Sequence, residues 1–172
     1  MTERVYEATV ARVLDAPRMV VWGLVADTDR GDRAVGLTPG EYHWEEVDGR
    51  WVRTARAKEL GFDIDWIEPP YEWLEGQFVE GLRLFRAGPA SRGGMRARLE
   101  DAGDGKTRVE ATFWVAGDSL TMRLVGPLVR AKLKRGARAY FDAIERMLAK
   151  VEGQAETGPD EPAVARARRA LM

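Results

Sequence analysis

Few side chains in this sequence are able to do chemistry, and their spacing decides what chemistry that would be. Asp63 and Asp65 stand two apart, and Glu75 and Glu110 add carboxylates further along. Paired carboxylates act as acid and base only when an apolar setting raises the pKa of one of them. Each of these four falls on the polar register of an alternating segment, so a solvated face is expected for all. His43 is the single histidine, and no partner stands at a fixed spacing to orient it as a base. Cysteine is absent, which removes disulfides, thiol nucleophiles and thiolate metal sites. Asp27-Thr28-Asp29-Arg30 puts three oxygen side chains ahead of a helical pattern, where capping explains them more simply than an ion site. No catalytic residue, metal-ligand set or cofactor is expected.

Charge is balanced, with 27 basic and 28 acidic residues, so no net field draws the chain to nucleic acid. Two basic runs stand out, Arg130-Ala131-Lys132-Leu133-Lys134-Arg135 and Arg166-Ala167-Arg168-Arg169. The first reads as the solvated face of a helix, and neither carries the interleaved aromatics of a nucleic-acid site. No nucleic-acid partner is expected. No apolar run approaches the roughly 18 residues of a membrane span, and the first residues do not open a signal peptide. A cytoplasmic protein follows as the expectation. Six tryptophans remain to be housed.

The elements that must position these residues are dominated by one stretch. Over residues 120–151, apolar or small side chains recur at Val125, Val129, Leu133, Ala137, Phe141, Ile144, Leu148 and Val151. That is helical spacing sustained for over seven turns. Gly126-Pro127 interrupts its start, with Pro127 suited to the first turn of the main helix. The rod beyond it is roughly 35 Å long and needs a broad apolar partner. Upstream, residues 4–14 alternate as a strand with one covered face, and Pro17 opens a helix to about Asp27. A second, shorter helix is expected to about Val35, stopped by Gly36. From Glu41 to Ala116 the pattern is strands and turns, with Asp48-Gly49 and Asp104-Gly105 as hairpin signals. Gly88-Pro89 and Gly93-Gly94 bracket an expected loop. Residues 152–172 read as a linker and tail, leaving a domain over 1–151.

Strand, two helices, about six antiparallel strands and a long helix (β-α-α-β6-α) leave one economical α+β solution. A curved sheet grips the terminal helix. This order resembles the Bet v 1-like superfamily, also called START-like or SRPBCC, which includes polyketide cyclase-like and lipid-transfer domains. Ala16-Pro17 followed by Val21-Trp22 and Asp27 resembles the superfamily's opening. More narrowly, Asp27-Thr28-Asp29-Arg30 with Arg33-Ala34-Val35-Gly36-Leu37 resembles SRPBCC-type domains N-terminal to some bacterial adenylate/guanylate cyclases. Phe85-Arg86-Ala87-Gly88-Pro89 and Gly105-Lys106-Thr107-Arg108-Val109 fit that group too.

The resemblance implies a helix-grip fold with a space between sheet and helix. Three functional readings follow. The first is a non-catalytic domain that binds an apolar or amphipathic small molecule, with a cyclase or another signalling protein as possible partner. Its expected cavity lining is Trp22, Trp66, Trp73, Leu84, Met95, Phe113, Leu133 and Tyr140, with Trp114 on the outer face. The second is a polyketide cyclase/dehydratase-like enzyme, in which Tyr140 and Arg83 would steer a bound polyketide. The third is an interaction module with a solid core. A void under about 100 Å³ would favour the third, since it is too small for an ordinary ligand pocket.

Overall fold

The computed structural model describes residues 2–28, Arg33 and residues 42–155. The chain forms β1 (Arg4–Leu14), α1 (Arg18–Val25), β2 (Tyr42–Val47), β3 (Arg50–Glu59), β4 (Phe62–Glu68), β5 (Glu72–Leu74), β6 (Phe78–Ala87), β7 (Arg92–Gly103), β8 (Lys106–Gly117) and α2 (Leu120–Ala155). The strands make one antiparallel sheet in the order β1-β8-β7-β6-β4-β3-β2, with β5 beside the start of β6. The sheet curves around the long C-terminal helix. The expected second short helix and the expected tail over 156–172 lie outside the described residues.

Among the described residues seven strands follow α1, one more than the expected six, because the pattern over residues 71–78 is not one strand. Pro69-Pro70 breaks the chain after β4. Residues 72–74 then pair with 78–80 of β6, while β4 pairs with 84–87 of the same edge. The turns follow their residues. Asp48 and Gly49 have φ of 51° and 73°, and Asp104 and Gly105 have 50° and 71°, the left-handed pair that tight hairpins favour.

Two expectations need correction. Gly93 and Gly94 lie within β7, not in a loop. They are strand residues because the sheet leaves no room there: a Cβ on Gly94 would lie 2.2 Å from the Gly81 carbonyl oxygen. The long helix also begins before Pro127, which is internal to α2. Ser119 starts it, its Oγ accepting a hydrogen bond from the Met122 amide at 2.9 Å. Met122 is buried, and Gly126 lies so close to the Tyr6 ring that a Cβ would overlap it. Tertiary packing thus carries the helix through the Gly-Pro step. At 36 residues α2 is about 54 Å long. It also runs four residues past the expected boundary at 151.

α2 packs along β1 and β8, and α1 packs on β7 and β8. Ala137, Tyr140, Phe141, Ile144 and Leu148 of α2 close on Leu14, Ala97, Leu99, Val109 and Ala111 of the sheet and on Val21, Leu24 and Val25 of α1. Each large side chain buried here contributes about 1.5–3 kcal/mol. The core is therefore concentrated at one side of the grip. The other side, where β3, β4 and β6 face the helix, is not filled.

Candidate ligand cavity

The unfilled side holds a cavity of about 210 Å³. Strand alternation aims Ala57 of β3, Ile64 and Trp66 of β4, Phe85 of β6, Met95 of β7 and Phe113 of β8 into it. The helix supplies Val125, Val129, Leu133 and Tyr140. Apolar cavities of roughly 150 Å³ admit a benzene-sized molecule, so this one has room for a small organic ligand. The solid core of the third reading is overturned by that volume.

Five of the eight expected lining residues come together here: Trp66, Met95, Phe113, Leu133 and Tyr140. Trp22, Trp73 and Leu84 do not. Trp22 is half-buried against the core cluster. Leu84 alternates with Arg83 and Phe85, which face the cavity, and so turns outward. Trp73 sits on the three-residue β5 at the sheet margin and is 67% exposed. Trp114, expected on the outer face, is instead half-buried and among the residues lining the cavity, beside Gly94 and with the Arg92 guanidinium over its ring.

One end of the cavity is polar: Arg83, expected as a steering residue, lies there, whereas its partner Glu68 was not anticipated. Glu68 of β4 is buried on the same face as Trp66. Its carboxylate accepts hydrogen bonds from Arg53 Nε (2.7 Å), Arg83 Nε (2.9 Å), the Trp66 indole (2.9 Å) and the Tyr71 hydroxyl (3.0 Å). Burial pushes the Glu68 carboxyl up. The Arg83 charge, the indole N–H and Arg53 outweigh it, so the pKa lies below the ordinary 4.5. Burial and the neighbouring Glu68 charge push the Tyr71 phenol above its ordinary 10.0. Tyr71 also accepts from Arg53 Nη2 at 2.8 Å and from the Thr28 hydroxyl at 3.2 Å. A signal was present in the sequence: Phe62, Ile64 and Trp66 alternate on the apolar register, and Glu68 continues it.

The opposite end is a half-exposed rim. Glu59 at the end of β3 pairs with Lys132 of α2, and the two side chains are 24% and 35% exposed. Leu60 beside them occupies φ 51° in the β3–β4 turn, a left-handed conformation uncommon for a bulky residue. Lys132 was read as part of a solvated basic run. In the structure it crosses the gap between helix and sheet.

The other candidates are dispersed. Asp65 is bound on the far side of β4 by Arg56 and Arg86 at 2.9 Å each. Asp63, Glu75, Glu110 and His43 are exposed. Tyr140 is buried, edge-on to Phe113 with centroids 5.4 Å apart, and its hydroxyl donates to the Val25 carbonyl at 3.3 Å. Among the described residues no group of three His, Asp or Glu side chains converges as metal ligands would, and no helix is long and apolar enough to cross a membrane.

No protein-family model matches the sequence, and no curated protein matches it. Solved structures do match in shape. The Zhui aromatase/cyclase from Streptomyces sp. R1128 superposes with a TM-score of 0.58 at 16% identity, over 86% of this chain and 96% of that one. A START superfamily protein from Mycobacterium smegmatis gives 0.57 at 14% identity, over 83% and 99%. Ara h 8.0201 gives 0.51 at 14% identity, over 82% and 98%. Element order, sheet order and these superpositions agree: the chain has the helix-grip fold of the START and Bet v 1-like proteins.

Proposed function

We propose that this chain is a binding domain for an apolar or amphipathic small molecule, held between the sheet and α2. One observation carries the reading: a 210 Å³ cavity lined mainly by apolar side chains, with ionic groups confined to its two ends. A mostly apolar wall with a few fixed polar groups is how small-molecule pockets gain affinity and orientation. The lining residues we assign to the ligand are Trp66, Met95, Phe113, Leu133 and Tyr140, together with Ala57, Ile64, Phe85 and Val129. Arg83 and Tyr71, which line the cavity and are held in place by Glu68, would orient a polar group of the ligand.

The same polar groups are poorly suited to proton transfer near neutral pH, which favours binding over the catalysis named for the aromatase/cyclase neighbour. Glu68 is held ionised by two guanidinium groups and is a weak base. Tyr71 is held protonated by burial and by Glu68. The likeness of residues 27–30 and 85–89 to domains that precede bacterial cyclases supports extending the reading to a sensor, whose occupancy is passed to a signalling partner.

The test is native mass spectrometry of the purified protein, with organic extraction and identification of any adduct. Ala57 faces the cavity and is half-buried, so Ala57→Phe fills the space without cutting into the packed core. An apolar adduct on the wild type that Ala57→Phe loses is the expected result. If neither protein carries an adduct and neither binds any of a panel of aromatic and acyl probes, the cavity is not a ligand site.

A further inference from the structure

The apolar face that α2 turns into the core leaves a second set of leucines unaccounted for. Leu120, Leu124 and Leu128 recur every fourth residue and are 65%, 76% and 51% exposed. Ala131 continues this line, and Arg135 and Arg138 extend it, with Lys134 alongside. All of them are exposed. The outward face of α2 is therefore apolar for its first two to three turns and basic for the next two. From Ser119 to Phe141 the chain holds Arg123, Arg130, Lys132, Lys134, Arg135 and Arg138, and not one carboxylate. The nearest acids along the chain are Asp118, before the helix, and Asp142, one turn beyond Arg138. Glu59 meets the helix from the sheet side and pairs with Lys132, away from the outward face.

We infer that this face docks α2 on the surface of an anionic lipid bilayer. The charge pattern selects that occupant. A one-signed basic segment continuous with exposed leucines matches an interface in which side chains enter the headgroup layer while cations meet anionic phosphates. A protein partner would more often answer with both signs of charge along the helix. Balanced net charge across the whole chain does not oppose this, because the surface field decays within about 10 Å at 0.1 M salt and only the nearby helix face is felt. The helix turns its opposite side to the cavity through Val125, Val129, Lys132 and Leu133. A bilayer under α2 thus lies one helix width from the rim at Glu59 and Lys132. Docking does not require an occupied cavity.

The experiment is co-sedimentation of the full chain with vesicles of phosphatidylglycerol in phosphatidylcholine, and with phosphatidylcholine alone, at low and high salt. Leu124→Glu and the pair Arg135→Glu, Arg138→Glu change exposed side chains only, and an unchanged melting temperature shows that each is folded. Binding at least about tenfold stronger to the anionic vesicles, weakened by salt, is expected. Leu124→Glu and the double charge reversal should each lower it by about tenfold or more. Equal partition to both vesicle types overturns the inference, as does binding that survives Leu124→Glu. A concentration-dependent dimer that Leu124→Glu dissolves, without vesicle binding, overturns it in favour of a second copy on this face.

Discussion

Glu68 takes hydrogen bonds from four side chains and neutralises only half the charge of the two arginines it holds. Removing its charge leaves both guanidinium groups without their buried counter-ion, a loss of about 3–5 kcal/mol by the usual cost of breaking such a pair. Glu68→Gln should therefore lower stability by about that amount in urea titration, and an unchanged midpoint would show the cluster to be solvated. The pH dependence has a definite sign. The folded pKa is below the unfolded one, so the contribution is present above the ordinary 4.5 and is lost as pH falls through the folded value. Wild-type melting temperature should drop in that acid range, and Glu68→Gln should flatten the drop. Leu60 presents the opposite case, a residue poorly suited to its backbone. Leu60→Asn should raise stability by up to about 1 kcal/mol, since Asn accepts the left-handed conformation. It should also weaken ligand binding by removing a rim contact, as calorimetry with the extracted ligand would read. A variant more stable yet equally tight would take Leu60 out of the site.

The helix and sheet touch closely along β1 and β8 and stand apart at β3 and β4. The ion pair Glu59–Lys132 spans that separation. Half-exposed pairs contribute at most about 1 kcal/mol, enough to set a rate without setting the fold. Lys132→Ala should speed ligand release by up to about fivefold in stopped-flow, at nearly constant melting temperature. Release slower than wild type would show that the pair is no barrier. Elements with strong periodicity were legible in the sequence: the buried stripe of α2 from Ala137 to Leu148 follows its apolar spacing, and both Asp-Gly turns are where they were expected. The strand count failed at Pro69-Pro70, where a three-residue pairing is too short to show a period. Gly93-Gly94 misled because a glycine pair reads as a loop, whereas here it admits a close approach of neighbouring strands. Trp73 and Leu84 failed for a related reason: alternation says which residues share a face, and not which face is covered.

At the level of the whole molecule, fold and site were unequally readable. Helix-grip topology follows from element order, because one sheet and one long apolar stripe have few ways to cover each other. The polar end of the cavity was not readable in that way. Arg53, Glu68, Tyr71 and Arg83 come from three segments of the chain, and nothing in their spacing announces that they converge. Leu120, Leu124 and Leu128 were invisible for another reason, since an exposed leucine and a buried one look alike until the partner of the helix is known. The vesicle experiment is the prediction that belongs to this scale, because it asks which side of the whole protein meets a surface.

The pairing of β1 with β8 sets a timetable for biosynthesis. Arg4 stands opposite Gly117, and Leu14 opposite Thr107. At about 5–20 residues per second, the ribosome needs roughly 5–20 s to deliver the partner after β1 has emerged. Over that interval β1 lacks its partner β8, and local order in α1 or the hairpins cannot supply it. Such remote pairing also makes for slow refolding in vitro. β1 is thus made well before its partner and is among the last strands of this sheet to be secured, and a pause in translation before β8 would lengthen its exposure to other unfinished chains.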